Sequence, residues 1–502
     1  MSSSQEVLER PTIMVEHAKE RNSSRHSSFI ALAVILTVQL MLVLDVTVVN
    51  IALPQMQAAL HFSQSNLSWV LNAYLLTFGG LLLLGGRMGD LFGRKRLFIG
   101  GVGLFILSSL SGGLAASAGW LVVARAAQGI GAGLAAPSAL ALLMTNFPEG
   151  PQRNRALSYF TAVSSAGGSI GLILGGVLTQ WISWRWTLFI NVPIGIAVIV
   201  LAFRYVAESP RQQGRLDLAG ALTSTLGMGA LVYAFIRAGS NGWSDGLTWW
   251  AVAAAAVILT VFVVIERRHA QPIMPLHLLA ARSRVGAFLS VLFTVVAMYG
   301  GFYFLTQFLQ RVMGYNPMLT GFAFLPMTLS IFGVSRIVPR LIPRFGARRI
   351  MLAGATLTAL ATLWLTQVSI SAQYAPGIVL PMILLGAGVG SSFLPLSIIA
   401  LSGVPGAESG AASGMLQTMQ QVGGALGLSI LVTAFGTATR AVPARTLMSV
   451  AAALRPEVVF THGVTSVFGL AAIFALLSLV NGLLVLRAPN TSDSAPHVVL
   501  SE

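Results

Sequence analysis

The chain has no cysteine, which excludes disulfides and thiolate metal sites. Charge is scarce: 9% of its 502 residues are Asp, Glu, Lys or Arg, against about 25% in soluble domains. Acids are scarcest, 15 against 30 bases, for a net charge of +15. With 55% hydrophobic residues, too few polar side chains remain to cover the cores a chain this long would build in water. A chain solvated mostly by lipid is what is left. The basic excess does not make nucleic acid a partner, because the bases sit in short gaps between apolar segments. No metal-ligand cluster, phosphate loop or catalytic triad is present, so neither an enzyme nor a cofactor is expected. The run GIGAG follows no strand and lies inside an apolar helix, which excludes a nucleotide site. With no ATPase machinery, an ion gradient is the remaining source of energy.

What is present is a series of apolar segments, each near the ~20 residues needed to cross a bilayer. They fall at 29–53, 67–86, 97–117, 120–146, 157–180, 186–205, 217–238, 247–265, 285–308, 318–338, 350–368, 376–401, 409–437 and 464–486. The expected fold is all-α and integral to the membrane, with fourteen spans. Residues 1–28 are polar, and the run after them is too long for a signal peptide, so they read as a cytoplasmic tail. If the N-terminus is inside, 23 Lys and Arg lie on the inner side, 6 on the outer, and Arg125 lies within a span. That imbalance puts both termini in the cytoplasm of a multi-pass cell-membrane protein. All nine tryptophans then fall near the outer face, where an amphipathic ring belongs.

The chain also repeats itself at offsets of 253–257 residues. FGRKRLFIGG at 92–101 matches FGARRIMLAG at 345–354, GIGAGLAAPS at 129–138 resembles GAGVGSSFLPL at 386–396, and AGGSIG at 166–171 aligns with VGGALG at 422–427. Two six-helix bundles, 29–206 and 285–487, are expected, with two additional helices in 207–284 and a second cytoplasmic tail at 488–502. Parallel halves of this kind place a substrate site between them and work by alternating access.

GRMGDLFGRKR at 86–96 resembles the loop signature of the major facilitator superfamily. LDVTVVNIALP at 44–54 is similar to the first-helix signature of its fourteen-span drug:proton antiporter branch, RAAQGIGAG at 125–133 to its fourth-helix motif, and SWRWTLFINVPIG at 183–195 to the junction of its fifth and sixth helices. The resemblance implies a major facilitator fold, two six-helix bundles plus two extra central helices. It also implies multidrug efflux: a proton-coupled antiporter, expected as a monomer in the lipid bilayer, exporting lipophilic small molecules, cationic ones among the candidates. The alternatives are a dedicated exporter of one antibiotic or siderophore and, more remotely, a sensor or scaffold.

Asp45 is the one acid well inside a span, about 12 Å along the helix from its outer end. A carboxylate there costs several kcal/mol unless paired or protonated, which suits a proton carrier. The competing reading is a structural carboxylate bonded permanently to a neighbour. Arg125, the one base well inside a span, lies at similar depth and stays charged. The resemblance implies a part in proton coupling, the alternative being a static pair. Asp217 and Glu266, at inner span ends, are expected to be solvated. In the loop, Gly86, Gly89, Asp90, Gly93, Arg94 and Lys95 resemble a conformational latch, with Asp90 expected to pair with Arg94 and to accept from helix N-terminal amides. The alternative is a plain basic anchor, the role expected of the second copy, which has Pro343 and Ala347 in place of Asp90 and Arg94.

Gly167, Gly171, Gly175 and Gly176 resemble the fifth-helix antiporter signature, with Leu172 where a proline is expected, and should pack helices closely. Asn50, Tyr74, Phe78, Tyr303, Phe304, Gln307, Gln310, Gln417 and Gln420 are candidates to line a substrate cavity, since amides are costly against lipid and aromatic faces suit lipophilic ligands. For each aromatic, simple packing is the competing reading. The outer loop 438–463, with Arg440, Arg445 and Arg455, is either a gate or plain surface.

Overall fold

The computed structural model describes residues 6–147, 150–211, 216–269, 271–274, 276–405, 408–443, 448 and 451–486. The tail at 488–502 and Arg445 lie outside them. Among the described residues the chain is helical and without strands. The first six long helices are α1 (Glu6–Leu60), α2 (Trp69–Phe92), α3 (Arg94–Gly113), α4 (Ala118–Asn146), α5 (Pro151–Trp181) and α6 (Trp186–Tyr205). A hairpin follows, α7 (Leu218–Asn241) and α8 (Gly246–Arg268). The last six are α9 (Arg282–Arg311), α10 (Pro317–Phe345), α11 (Ala347–Leu365), α12 (Val379–Leu401), α13 (Ser409–Arg440) and α14 (Arg455–Leu484). Helix α1 starts at Glu6, so its backbone runs on through most of the polar segment expected to be a tail.

Thirteen of these helices are long and apolar enough to cross a bilayer. The exception is α11, whose 19 residues open with Arg348 and Arg349 in the first turn. Arg348 donates to the carbonyls of Gly482 (3.1 Å) and Leu483 (2.7 Å), which binds α11 to the end of α14. Outward faces carry large apolar side chains such as Val200, Phe203, Leu226 and Val257, each more than half exposed. Water would not tolerate that surface, but lipid does.

Packing repeats as the sequence does. In the first group α4 lies against α2 and α3, and α1 against α5 and α6; in the second, α12 lies against α10 and α11, and α9 against α13 and α14. The two groups meet along α1–α9, α2–α13 and α5–α10. Helix α7 packs against both α2 and α13, while α8 touches mainly α7, so the hairpin covers the seam on that flank. Glycines make the close approaches possible. A Cβ at Gly175 would come within 2.8 Å of the Val48 backbone on α1, and one at Gly176 within 2.6 Å of the Pro317 carbonyl on α10. Gly175 and Gly176 thus let α5 approach α1 and α10 closely.

The nine tryptophans gather at or near one end of the bundle, close to the turns between α5 and α6 and between α7 and α8 or near helix termini there. The opposite end carries the signature loop and is called the basic end below.

Candidate functional site

At the basic end, α2 passes into α3 through Gly93, whose φ of +108° is open to glycine at little cost. The second copy turns in the same way at Gly346, φ +80°. Asp90 pairs with Arg94 at 2.9 Å, both partly exposed. The helix amide that Asp90 was expected to cap is instead taken by Glu208, whose Oε1 accepts from Lys95 N at 2.9 Å. Glu208 also packs within 2.9 Å of where a Gly93 Cβ would sit, and Lys95 Nζ donates to the Phe203 carbonyl at 2.9 Å. Sequence reasoning missed Glu208 because it follows α6 in a polar stretch with no periodicity.

In the interior of the first group, Asp45 on α1 is 1% exposed and Arg125 on α4 is 0% exposed. Arg125 Nη1 donates to Asp45 Oδ2 at 2.5 Å. Gln128 Nε2 donates to Asp45 Oδ1 at 2.6 Å, and Asn191 Nδ2 on α6 to the same oxygen at 3.1 Å. Gln128 reaches Ser109 on α3 at 2.8 Å and accepts from Arg125 Nη1 at 2.5 Å. Arg125 Nε caps the Val70 carbonyl at 2.9 Å, and its guanidinium lies 4.4 Å from the centre of the Tyr74 ring. Arg125 Nη2 and the Tyr74 hydroxyl are buried without a hydrogen-bond partner. One turn of α4 thus carries both the ion-pair base at 125 and an amide at 128 to the same acid. Gln128 and Asn191 had a sequence signal: each is a polar residue inside an apolar run of a motif already noted.

Five residues after Asp45, α1 turns Asn50 to its other side, toward the second group. Asn50 Nδ2 donates to Thr306 Oγ1 (2.8 Å) and to the Phe302 carbonyl (3.0 Å) on α9. Gln310 Nε2 reaches the Ile51 carbonyl (2.9 Å), Gln55 donates to Gln310 (3.1 Å), and Gln64 to Gln307 (2.6 Å). Arg311 bonds Gln57. These contacts zip α1 and the turn that follows it to α9 at the tryptophan end.

The cavity expectations change accordingly. Asn50, Gln307 and Gln310 serve the zipper. Tyr303 and Phe304 are 0% and 1% exposed and lie in an apolar cluster, where the Phe304 ring lies tilted to that of Phe435 with centroids 5.4 Å apart. Tyr74 is buried under Arg125, with Phe78 5.7 Å from it. Gln417 on α13 is exposed and Gln420 partly so.

Asp217 and Glu266 are a second correction. They are 2% and 3% exposed, not solvated. Asp217 caps α7 by accepting from Gly220 N at 2.7 Å, and residues beyond α8 fold back so that Met274 N donates to Glu266 Oε2 at 3.1 Å. Local folding therefore covers two acids that sequence position alone leaves at a surface. Of the expected outer loop, Arg440 ends α13 and bonds the carbonyls of Ala238, Gly239 and Ser240 on α7, and Arg455 opens α14.

The Major Facilitator Superfamily sequence model matches residues 35–428. The chain is 39% identical to the cephamycin export protein of Amycolatopsis lactamdurans over 84% of its own length and 88% of that protein's. It is 41% identical to the puromycin resistance protein of Streptomyces alboniger over 89% of each. A solved structure of a bacterial homologue of the human lysosomal transporter Spinster, inward-facing and occupied, superposes with a TM-score of 0.64 at 15% identity, covering 92% of this chain and 97% of that one. The sequence model spans most of the chain and the helices superpose on a solved transporter of that architecture, so this multi-pass membrane protein belongs to the major facilitator superfamily.

Proposed function

We propose that the chain exports lipophilic small molecules across the cell membrane in exchange for protons, by alternating access between residues 29–206 and 285–487, with 207–284 as an added hairpin. In this reading the basic end is cytoplasmic, as the distribution of Lys and Arg favours, and so are both termini. The names of the relatives support the substrate class: one exports cephamycin and another confers puromycin resistance.

The observation that carries the proton step is the buried Asp45–Arg125 pair with its two amide donors. Both oxygens of Asp45 accept hydrogen bonds here, the arrangement that suits a carboxylate without a proton. A proton arriving at Asp45 removes the charge that holds Arg125, which stays cationic and must find other acceptors. Helix α1 then shifts. Because the same helix holds Asn50 on its opposite side, that shift reaches the α1–α9 zipper, so the proton on Asp45 and the closure of the tryptophan end are linked. At the basic end, Asp90, Arg94, Lys95 and Glu208 hold α2, α3 and the end of α6 together within the first group. Drug and proton need not touch; they compete through the position of α1.

The test is transport in proteoliposomes under an imposed pH gradient. Wild type should accumulate substrate against its gradient, and Asp45→Asn should lose that drive. Equal, gradient-independent movement by both would remove proton coupling. Relatives whose names each specify one antibiotic favour a second reading, a dedicated exporter. A drug panel in an efflux-deficient host separates the two by breadth of resistance.

A further inference from the structure

The α7–α8 hairpin holds a pair of acids that the scheme above does not use. Asp217 Oδ1 and Glu266 Oε2 each accept a backbone N–H, but Asp217 Oδ2 and Glu266 Oε1 are buried with no hydrogen-bond partner. These two free oxygens converge on one point: a Cβ at Gly220 would lie 2.5 Å from the first and 2.8 Å from the second. Glycine at 220 leaves the space in which they face each other. The surrounding charges do not neutralise them. Among the described residues, Arg267 and Arg268 on α8 are exposed, Arg87 on α2 bonds Gln271, and Glu408 at the start of α13 bonds His277. His269 Nδ1 stands 3.9 Å from Asp217 Oδ2 and already accepts from Gln271 N.

Two ionised carboxylates cannot face each other in a desolvated space without a large penalty, and such a pair holds a proton between its oxygens. We infer that Asp217 and Glu266 form a proton-binding site separate from Asp45, with one proton shared between Asp217 Oδ2 and Glu266 Oε1. The segment after α8 makes the site consequential. Met274 N hangs from Glu266, Gln271 accepts from Arg87 on the signature loop at 2.7 Å, and His277 meets Glu408 on α13 at 2.9 Å. This strap therefore ties the basic ends of both groups together. With the proton bound, the pair is closed and the strap is held. When the proton leaves as pH rises, the like charges repel, the longer Glu266 side chain swings away, and Met274 is released.

The inference does not require Asp45 to carry protons, and its test is run in an Asp45→Asn background to keep the two apart. Infrared difference spectra of the purified protein between neutral and alkaline pH should show the carbonyl stretch of one buried carboxylic acid. That band should vanish in Glu266→Gln and in Asp217→Asn, and should survive Asp45→Asn. Absence of the band in Asp45→Asn overturns the site, as does its appearance only after metal cations are stripped away. The strap is read separately. Met274→Cys provides a single thiol in a chain with no native cysteine. Its modification rate, corrected for thiolate fraction and compared with the same thiol in Glu266→Gln, should rise about tenfold through the titration, following proton occupancy. Equal, flat rates in both would overturn the link between proton and strap.

Discussion

Removing both charges of the Asp45–Arg125 pair should cost less than the two single removals added together. Asp45 and Arg125 are 1% and 0% exposed, so neither can turn to solvent if its partner is lost. The two carboxylate oxygens receive Arg125 Nη1 on one side and the amides of Gln128 and Asn191 on the other. In Asp45→Asn, either orientation of the new amide sets its NH2 against a donor, and Arg125 keeps an uncompensated charge. Breaking a buried pair in this way costs about 3–5 kcal/mol. Arg125→Met should cost a similar amount, because it strands the carboxylate. The double variant strands neither charge, and should be more stable than the summed singles predict by about 3 kcal/mol. Equilibrium unfolding of the four proteins in one detergent measures this coupling. If the two single effects simply add, within about 0.5 kcal/mol, the pair is not the energetic unit described here.

Four further outcomes follow from particular contacts. Gly93→Ala meets both a φ of +108° and the Glu208 carboxylate, so folded yield and transport should both fall, whereas Gly100→Ala, which has open space around it, should leave both unchanged. Gly175→Val should push α5 off the Val48 backbone and lower stability by about 1–3 kcal/mol, read by unfolding in detergent. Combining Asn50→Ala with Gln310→Ala removes four zipper hydrogen bonds, worth about 2–6 kcal/mol in total. It should raise labelling of a cysteine placed at Thr306, and unchanged labelling would contradict the zipper as a closure. Asp245, whose carboxyl is held below its usual range by its bond to Arg237, ties the α7–α8 turn. Its contribution is full above the ordinary aspartate range and lost as pH falls through the depressed value, a loss that should be absent from Asp245→Asn.

The sequence made the helices legible because lipid demands long apolar runs and leaves little room for other patterns. Asp45 and Arg125 were legible for the same reason: a charge in an apolar run announces itself. Their partners were harder to see. Gln128, Asn191 and Ser109 acquire meaning only when helix rotations bring α3, α4 and α6 to one point, and no spacing within a single helix encodes that. Tyr303 and Phe304 show another limit, since an aromatic ring has the same chemistry whether it fills a core or lines a cavity. Asp217 and Glu266 were misread because burial there depends on a chain segment folding back, a tertiary event with no periodic signature. Glu208 was missed because its partner amide lies more than a hundred residues earlier, at Lys95.

The hairpin across the seam has a mechanical consequence. Toward the tryptophan end, α7 is gripped by α13 through its own backbone: Thr433 bonds the Phe235 carbonyl at 2.5 Å, and Arg440 clasps the last turns. Against α2 its hold is a steric fit of Thr225 beside Gly80. A tight joint on one flank and a greased one on the other make α7 a passenger of the second group. Any rocking of the halves would shear at the glycine–threonine face, and bulk added at Gly80 would seize that bearing without touching drug or proton.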